Sequence, residues 1–288
     1  MGKAMRLGVL GTLVVAGALA LSGGPAMAAV SSPPPAAYTC TGGNFATHNF
    51  TIIPSGTYAS ITVKGACAVA PNAVITVIGN INVAPGAVLD AQSAPSTITV
   101  RHNVTAGPGS LLGLGCLPNP PGHTTGHPCT VEPNGRSDIT VKGNVTAWDA
   151  NTILLNGITV KRNVKLIGSE GTATVAERKN AIPWSIKDNT IGGDLIAGNM
   201  TPLWLGLLHN HVCGNVILFN VHITDGLPPN NDPMPTIFVA SNQVGRNLIC
   251  WGLGPYVSGG FGTEHNVVGG KAIGQCAHLT DVPPPTTS

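Results

Sequence analysis

Charge is scarce in this chain of 288 residues, and so are aromatic rings. Asp, Glu, Lys and Arg make up 9% of it, and Phe, Trp and Tyr 4%. Fourteen basic residues stand against twelve acidic ones, so the basic footprint of a nucleic-acid binder is missing. Leu, Glu, Lys and Ala at 3.6-residue spacing are missing too, which excludes a helical bundle. Beyond the first thirty residues no segment is long and apolar enough to cross a bilayer. The twelve acids share no D-x-D or D-D pair, and no G-x-S-x-G, H-E-x-x-H or phosphate-loop pattern occurs. Glycoside hydrolysis needs a convergent pair of carboxylates. Here Asp90, Glu132, Asp138, Asp149, Glu170, Asp188, Asp194, Asp225, Asp232 and Glu264 stand at unrelated places.

What is present is repetition. A phrase that reads apolar-or-Asn, x, Val/Ile, x, Gly, Asn/Asp, apolar occurs nine times. It starts at Ile61, Ile75, Ile98, Ile139 and Ile158, then at Asn189, Asn210, Asn242 and, degenerate, Asn266. Successive starts lie 14, 23, 41, 19, 31, 21, 32 and 24 residues apart, so one unit is near 20 residues and the long gaps hold loops. Such a period marks a solenoid. Each phrase alternates apolar with polar residues, favours β-branched side chains and breaks at Gly-Asn, giving a short strand, a bend and another strand. The 38 Gly and 24 Pro would suit disorder, but the Val/Ile positions supply a continuous core. The expected fold is all-β: one right-handed parallel β-helix of about ten coils, with an N-terminal cap and inserted loops.

Along the chain, residues 1–28 read as a secretory signal peptide, with Lys3 and Arg6, the apolar run Leu7–Leu21 and the small-residue site Ala26-Met27-Ala28. An uncleaved anchor is the competing reading, against which the short run argues. Residues 29–37 are a linker, 38–60 a cap, 38–280 the β-helix and 281–288 a Pro-rich tail. Two arrays make up the helix, 61–168 and 189–276, and the change from Ile to Asn at the first phrase position suggests a change in which part of the coil the phrase occupies. Stacked Asn residues can hydrogen-bond amide to amide. Asn80, Asn103, Asn144, Asn163, Asp194, Asn215 and Asn247 are expected to be corner residues that tolerate positive φ. The sequons at Asn103 and Asn144 belong to the phrase and are not taken as glycosylation sites.

Export favours disulfides, and seven cysteines leave one over. The preferred set is Cys40–Cys67, Cys116–Cys129 and Cys250–Cys276, with Cys213 buried. Cys213–Cys250 competes with it, although those two stand at phrase positions 4 and 9. Cys116, His123, His127 and Cys129 carry the ligand types of a tetrahedral zinc site, which a disulfide explains equally well. His209, His211, His222 and Asp225 form a second cluster: the first two are expected on one strand face and the others one coil later, suiting a weak metal site or an acid/base pair. Trp204, Trp251 and Tyr256 are candidates for a ligand surface, with core packing as the plainer use of Trp204 and Trp251. No cofactor is implied.

On Asn189–Leu195, Asn242–Cys250 and the G-Q-C of Gly274–Cys276, the chain resembles secreted actinobacterial β-helix proteins that combine I-T-V-x-G-N-V and N-T-I-G-G-D/N-L repeats. The resemblance spans most of the chain after the signal peptide but implies a fold only and carries over no catalytic residue. The coils are also similar to those of bactofilin-type polymer-forming proteins, which are cytoplasmic or membrane-associated; an exported chain with disulfides departs from them. The functional expectation is a secreted, non-enzymatic structural or interaction protein presenting a rigid surface in the extracellular or cell-envelope space. Alternatives are a carbohydrate-binding module for polysaccharide, or a polysaccharide lyase or hydrolase of the pectate-lyase-like class.

Overall fold

The computed structural model describes residues 33–119, 126–169, 184–202, 204–223, 236–259 and 265–279. The segment from Pro35 onward forms one compact unit. Among the described residues there is no α-helix. Short strands stack into three parallel sheets, one strand of each per coil. Sheet I has ten strands, from Tyr38–Cys40 to Ala272–Gly274. Sheet II has nine, from Thr51–Ile53 to Tyr256–Ser258, and sheet III nine, from Gly56–Tyr58 to Val267–Val268. The chain runs I, II, III and begins again one rung on, which among the described residues is a parallel β-helix of nine complete coils and the first strand of a tenth. At ~4.8 Å per rung the stack is about 45 Å long.

Alternation decides which side chains face the lumen. In Ser96–Val100, Ile98 and Val100 are buried while Thr97 and Thr99 face outward. Repeated in every coil, this makes one apolar cluster running from Cys40 to Leu279. Each buried Ile or Val contributes roughly 1.5–3 kcal/mol. The ends of the lumen are closed by other means. Tyr38 and Tyr58, at inward positions of the first coil, bring their rings to 5.2 Å at the N-terminal end. At the other end Cys276 and Leu279 turn over the core. Gln275 there holds Leu253 through two side-chain bonds of 2.7 Å, in the manner of a strand.

Several expectations are corrected. The phrase at Ile61 is out of phase: Ile61–Val63 lies in sheet I, paired with Ile81–Val83, whereas the other eight phrases start in sheet III. The sheet III partner of Ile75 is Gly56, so the odd spacing of 14 becomes 19. A β-branched triplet before a bend occurs twice per coil, and the pattern alone does not say which sheet it serves. The segment 38–60, at the capping end, is itself the first coil, in register with the second. The change from Ile to Asn does not move the phrase either. Ile75, Ile98, Ile139, Ile158, Asn189, Asn210, Asn242 and Asn266 form one column.

The Gly-Asn residues do sit at a corner, between sheets III and I, but none has positive φ. They form a ladder instead. Asn Oδ1 accepts the backbone N–H of the next coil and, where that coil also has Asn, its side-chain amide, as from Asn103 to Asn80, Asn144 to Asn103 and Asn163 to Asn144. Asp194 takes one place in it and accepts both bonds from Asn215. The left-handed residues lie elsewhere. Gly157, Asp188, His209 and Ser241 turn the corner from sheet II to III. Asp149, Gly168, Asn199, Asn220 and Gly252 bend sheet I toward II. Short polar residues and Gly tolerate that conformation best.

Cys40–Cys67, Cys116–Cys129 and Cys250–Cys276 are disulfide-bonded, consistent with an extracellular, oxidising environment. Cys213 is the free thiol but is exposed rather than buried: the fourth phrase position points outward, between Gly192 and Gly245.

Candidate functional site

Sheet I changes character along the rod. Its central outward column reads Thr62, Asn82, Thr105 and Thr146 in coils 2 to 5, Lys165 in coil 6, then Ile196, Ile217, Ile249 and Ile273. Two residues further along each strand, a second outward column holds Trp148, Ile167, Gly198, Phe219 and Trp251. The rings of Phe219 and Trp251 stack at 5.4 Å and 22°. Gly198 gives Phe219 room: a Cβ there would meet its ring. Trp251 is 48% exposed, Trp148 55% and Ile273 44%. The outcome is an apolar, partly aromatic wall over coils 7 to 10, on strands whose lumen faces are already filled.

Trp251 therefore belongs to this wall, whereas Trp204 is partly buried in a separate outer cluster. Its ring lies over Gly206 and against Phe238, centroids 5.8 Å apart, closing a small outer cluster with Leu208 and Ala240. Tyr256 is exposed at the start of the last strand of sheet II, around the bend from Trp251.

The histidine cluster is dispersed. His209 is a left-handed corner residue, not a strand residue, so it does not share a face with His211. His211 faces out of sheet III and bonds to Gln243 at 3.1 Å. His222 ends a strand of sheet I, and Asp225 lies outside the described residues. The zinc reading of the loop fails at its cysteines, which are bonded to each other. His127 instead meets Gln92 at 3.1 Å, and His123 is outside the described residues. Among the described residues no three His, Cys, Asp or Glu come together as a metal site.

Sequence reasoning missed one polar group. Asn156 and Lys187 are outward neighbours on adjacent strands of sheet II, covered by the loop that Cys116–Cys129 closes. Ser185 bonds to Asn156 Oδ1 at 3.0 Å, while Asn156 Nδ2 is buried without a partner. Lys187 Nζ donates to Gly126 O at 3.0 Å. Asp188 Oδ1 lies 3.7 Å from His209 Nδ1. Burial lowers the Lys187 pKa against the pull of Asp188, and raises that of Asp188 against His209 and Lys187. Burial, then the charge of Lys187, lowers His127, with Asp90 opposing. The only trace of this group in the sequence is the adjacency of Lys187 and Asp188 just before an Asn phrase.

No protein-family model, curated protein or solved structure matches the chain.

Proposed function

We propose that this chain is an exported, non-catalytic interaction protein whose rigid rod presents the outer wall of sheet I. The reading rests on one observation: Ile196, Ile217, Ile249 and Ile273 form an outward column beside the stacked Phe219 and Trp251. Contiguous exposed apolar surface is costly unless something covers it. The lumen is packed without these residues, so they serve no internal need. The signal-like N-terminus and the three disulfides support a place outside the cytoplasm.

A second reading has its own support. Trp148 and Trp251 share one outward column and are both half exposed, and flat rings so placed stack on sugar rings. Co-sedimentation of the secreted protein with cell-envelope material and with pectin-type and chitin-type polymers tests both. Retention lost in Ile217→Lys but kept in Trp148→Ala supports the apolar wall. Loss in both Trp148→Ala and Trp251→Ala supports sugar stacking. Shortening of the polymer chains would overturn the non-catalytic reading, and retention on cell-envelope material and on the neutral chitin-type polymer unchanged in Ile217→Lys, Trp148→Ala and Trp251→Ala would overturn both.

A further inference from the structure

The outer face of sheet III carries a second pattern, distinct from the wall of sheet I. Each strand turns a residue outward, the next inward and the next outward again, so two ranks run side by side along the rod. In coils 3 to 5 the first rank is Thr99, Thr140 and Thr159, paired in register. The second rank is Arg101, Lys142 and Lys161. Backbone bonds from Lys142 N to Val100 O and from Lys161 N to Val141 O place these cations one rung apart, ~4.8 Å. All three are exposed, as are Arg162 at the bend and Lys165 at the first outward position of sheet I.

Like charges directly opposite one another on neighbouring strands weaken the pairing. Among the described residues no carboxylate forms an ion pair with any of the five. Asp138 faces the same way as Lys142 but two outward positions away, opposite Thr97. The backbone does not demand cations here, because Ile78, Gly192 and Cys213 fill the same rank in other coils. Charge stacked at a cost, in a rank that tolerates other residues, points to an anion outside the protein.

We infer that this ridge binds a linear acidic polysaccharide laid along the rod axis. Its carboxylates meet Arg101, Lys142 and Lys161, and its hydroxyls meet the threonine rank. Arg and Lys both suit carboxylates, and threonine hydroxyls both donate and accept. A nucleic acid fits less well, because no exposed aromatic rank is interleaved with the cations to stack on bases. The inference is independent of the sheet I wall, since neutralising the ridge leaves Phe219 and Trp251 in place.

The test measures binding of the full-length secreted protein to polygalacturonate, to its fully methyl-esterified form and to oligo(dT). Polygalacturonate is expected to bind, with affinity falling as salt rises, and the neutral ester and oligo(dT) to bind weakly or not at all. Arg101→Gln/Lys142→Gln/Lys161→Gln should weaken polygalacturonate binding roughly tenfold or more. Lys64→Gln/Arg136→Gln/Lys271→Gln, the same charge change elsewhere, should leave it within about twofold. Circular dichroism checks that both variants fold; if the first does not, the salt dependence and the ester comparison on unmodified protein decide. Equal binding of the ester, tighter binding of oligo(dT), equal loss in both variants or no binding to polygalacturonate would each overturn the inference.

Discussion

Coils 2 to 5 and coils 6 to 9 use the same backbone and opposite chemistry. In the first set the sheet III column holds Ile75, Ile98, Ile139 and Ile158, while sheet I shows Thr and Asn to solvent. In the second set the buried column holds Asn189, Asn210, Asn242 and Asn266, and isoleucines appear outside. The change of column is made within one bond, from Ile158 N to Asn189 Oδ1 at 3.0 Å. Each Asn of this column bonds through both its amide nitrogen and its oxygen. Asn210 Nδ2 donates to Ile186 O and Asn242 Oδ1, and its Oδ1 accepts the N–H and amide of Asn189. A coil corner can therefore be held by packing or by a complete amide ladder. An Asn set alone among isoleucines would keep backbone partners but lack the amide-to-amide bond, leaving one buried N–H unpaired.

The largest effect tests that case. Ile139→Asn should cost about 4 kcal/mol, the sum of lost burial and an unpaired amide N–H. Asn210→Ala should cost about 3 kcal/mol, because it takes Nδ2 from Ile186 O, one of two donors from Asn242 Oδ1, and the acceptor from the Asn189 N–H and amide. Both are read from denaturant unfolding; a cost below about 1 kcal/mol in either would mean that the columns are interchangeable. Next come the ends. Opening Cys40–Cys67 or Cys250–Cys276, separated by 27 and 26 residues, should each cost about 3 kcal/mol. Cys116–Cys129 closes a span of 13 over the outside of sheet II and should cost less. If it costs as much as the other two, the covering loop is part of the cooperative unit.

These contrasts show what the linear chain disclosed. The solenoid and the coil count were legible because the apolar period and the Gly-Asn breaks are local; the three disulfides match the preferred set, but the sequence alone left Cys213–Cys250 open. The phase of Ile61 was not, since both sheets III and I follow a β-branched triplet with a bend. Left-handed residues were misplaced for a related reason. Asn at 103, 144 and 163 suits positive φ by type, but its neighbours in the coils above and below offer hydrogen bonds that win. Phe219 and Trp251 lie 32 residues apart and meet only because their strands pair in register on adjacent coils. The group around Lys187 needed a sheet, a corner and an inserted loop at once.

Smaller effects separate the two ladders and the two halves of sheet III. Asn144→Ala, in the half-exposed corner ladder, should cost about 1 kcal/mol, well under Asn210→Ala, because water replaces part of what is lost. At the fourth phrase position coils 3 to 5 carry cations and coils 6 to 9 Gly or Cys213. Native protein should therefore present one thiol to a disulfide reagent at the rate of a free cysteine, and denaturation should add none. A thiol that reacts only after unfolding would move Cys213 back among the buried side chains.

The subtlest prediction concerns the junction of the halves, where Asn156 of coil 5 faces Lys187 of coil 6. His127 titrates below its usual range in the fold, so its contribution to stability is complete above about pH 6.5 and is lost as pH falls through the lowered value. Lys187 is also lowered, so its contribution is complete only above about pH 10.4 and declines as pH falls from there. Asp188 is raised, so its contribution is complete below about pH 3.9 and is lost as pH rises through the raised value. At neutral pH the two neighbours are held against burial partly by each other. Lys187→Met removes a cation that lowers both His127 and Asp188, so both should titrate at higher pH than before. The imidazole shift of His127, followed by NMR, reads this directly. An unmoved His127 would show that burial alone sets it, and that the loop closed by Cys116–Cys129 shields it from the charge beneath.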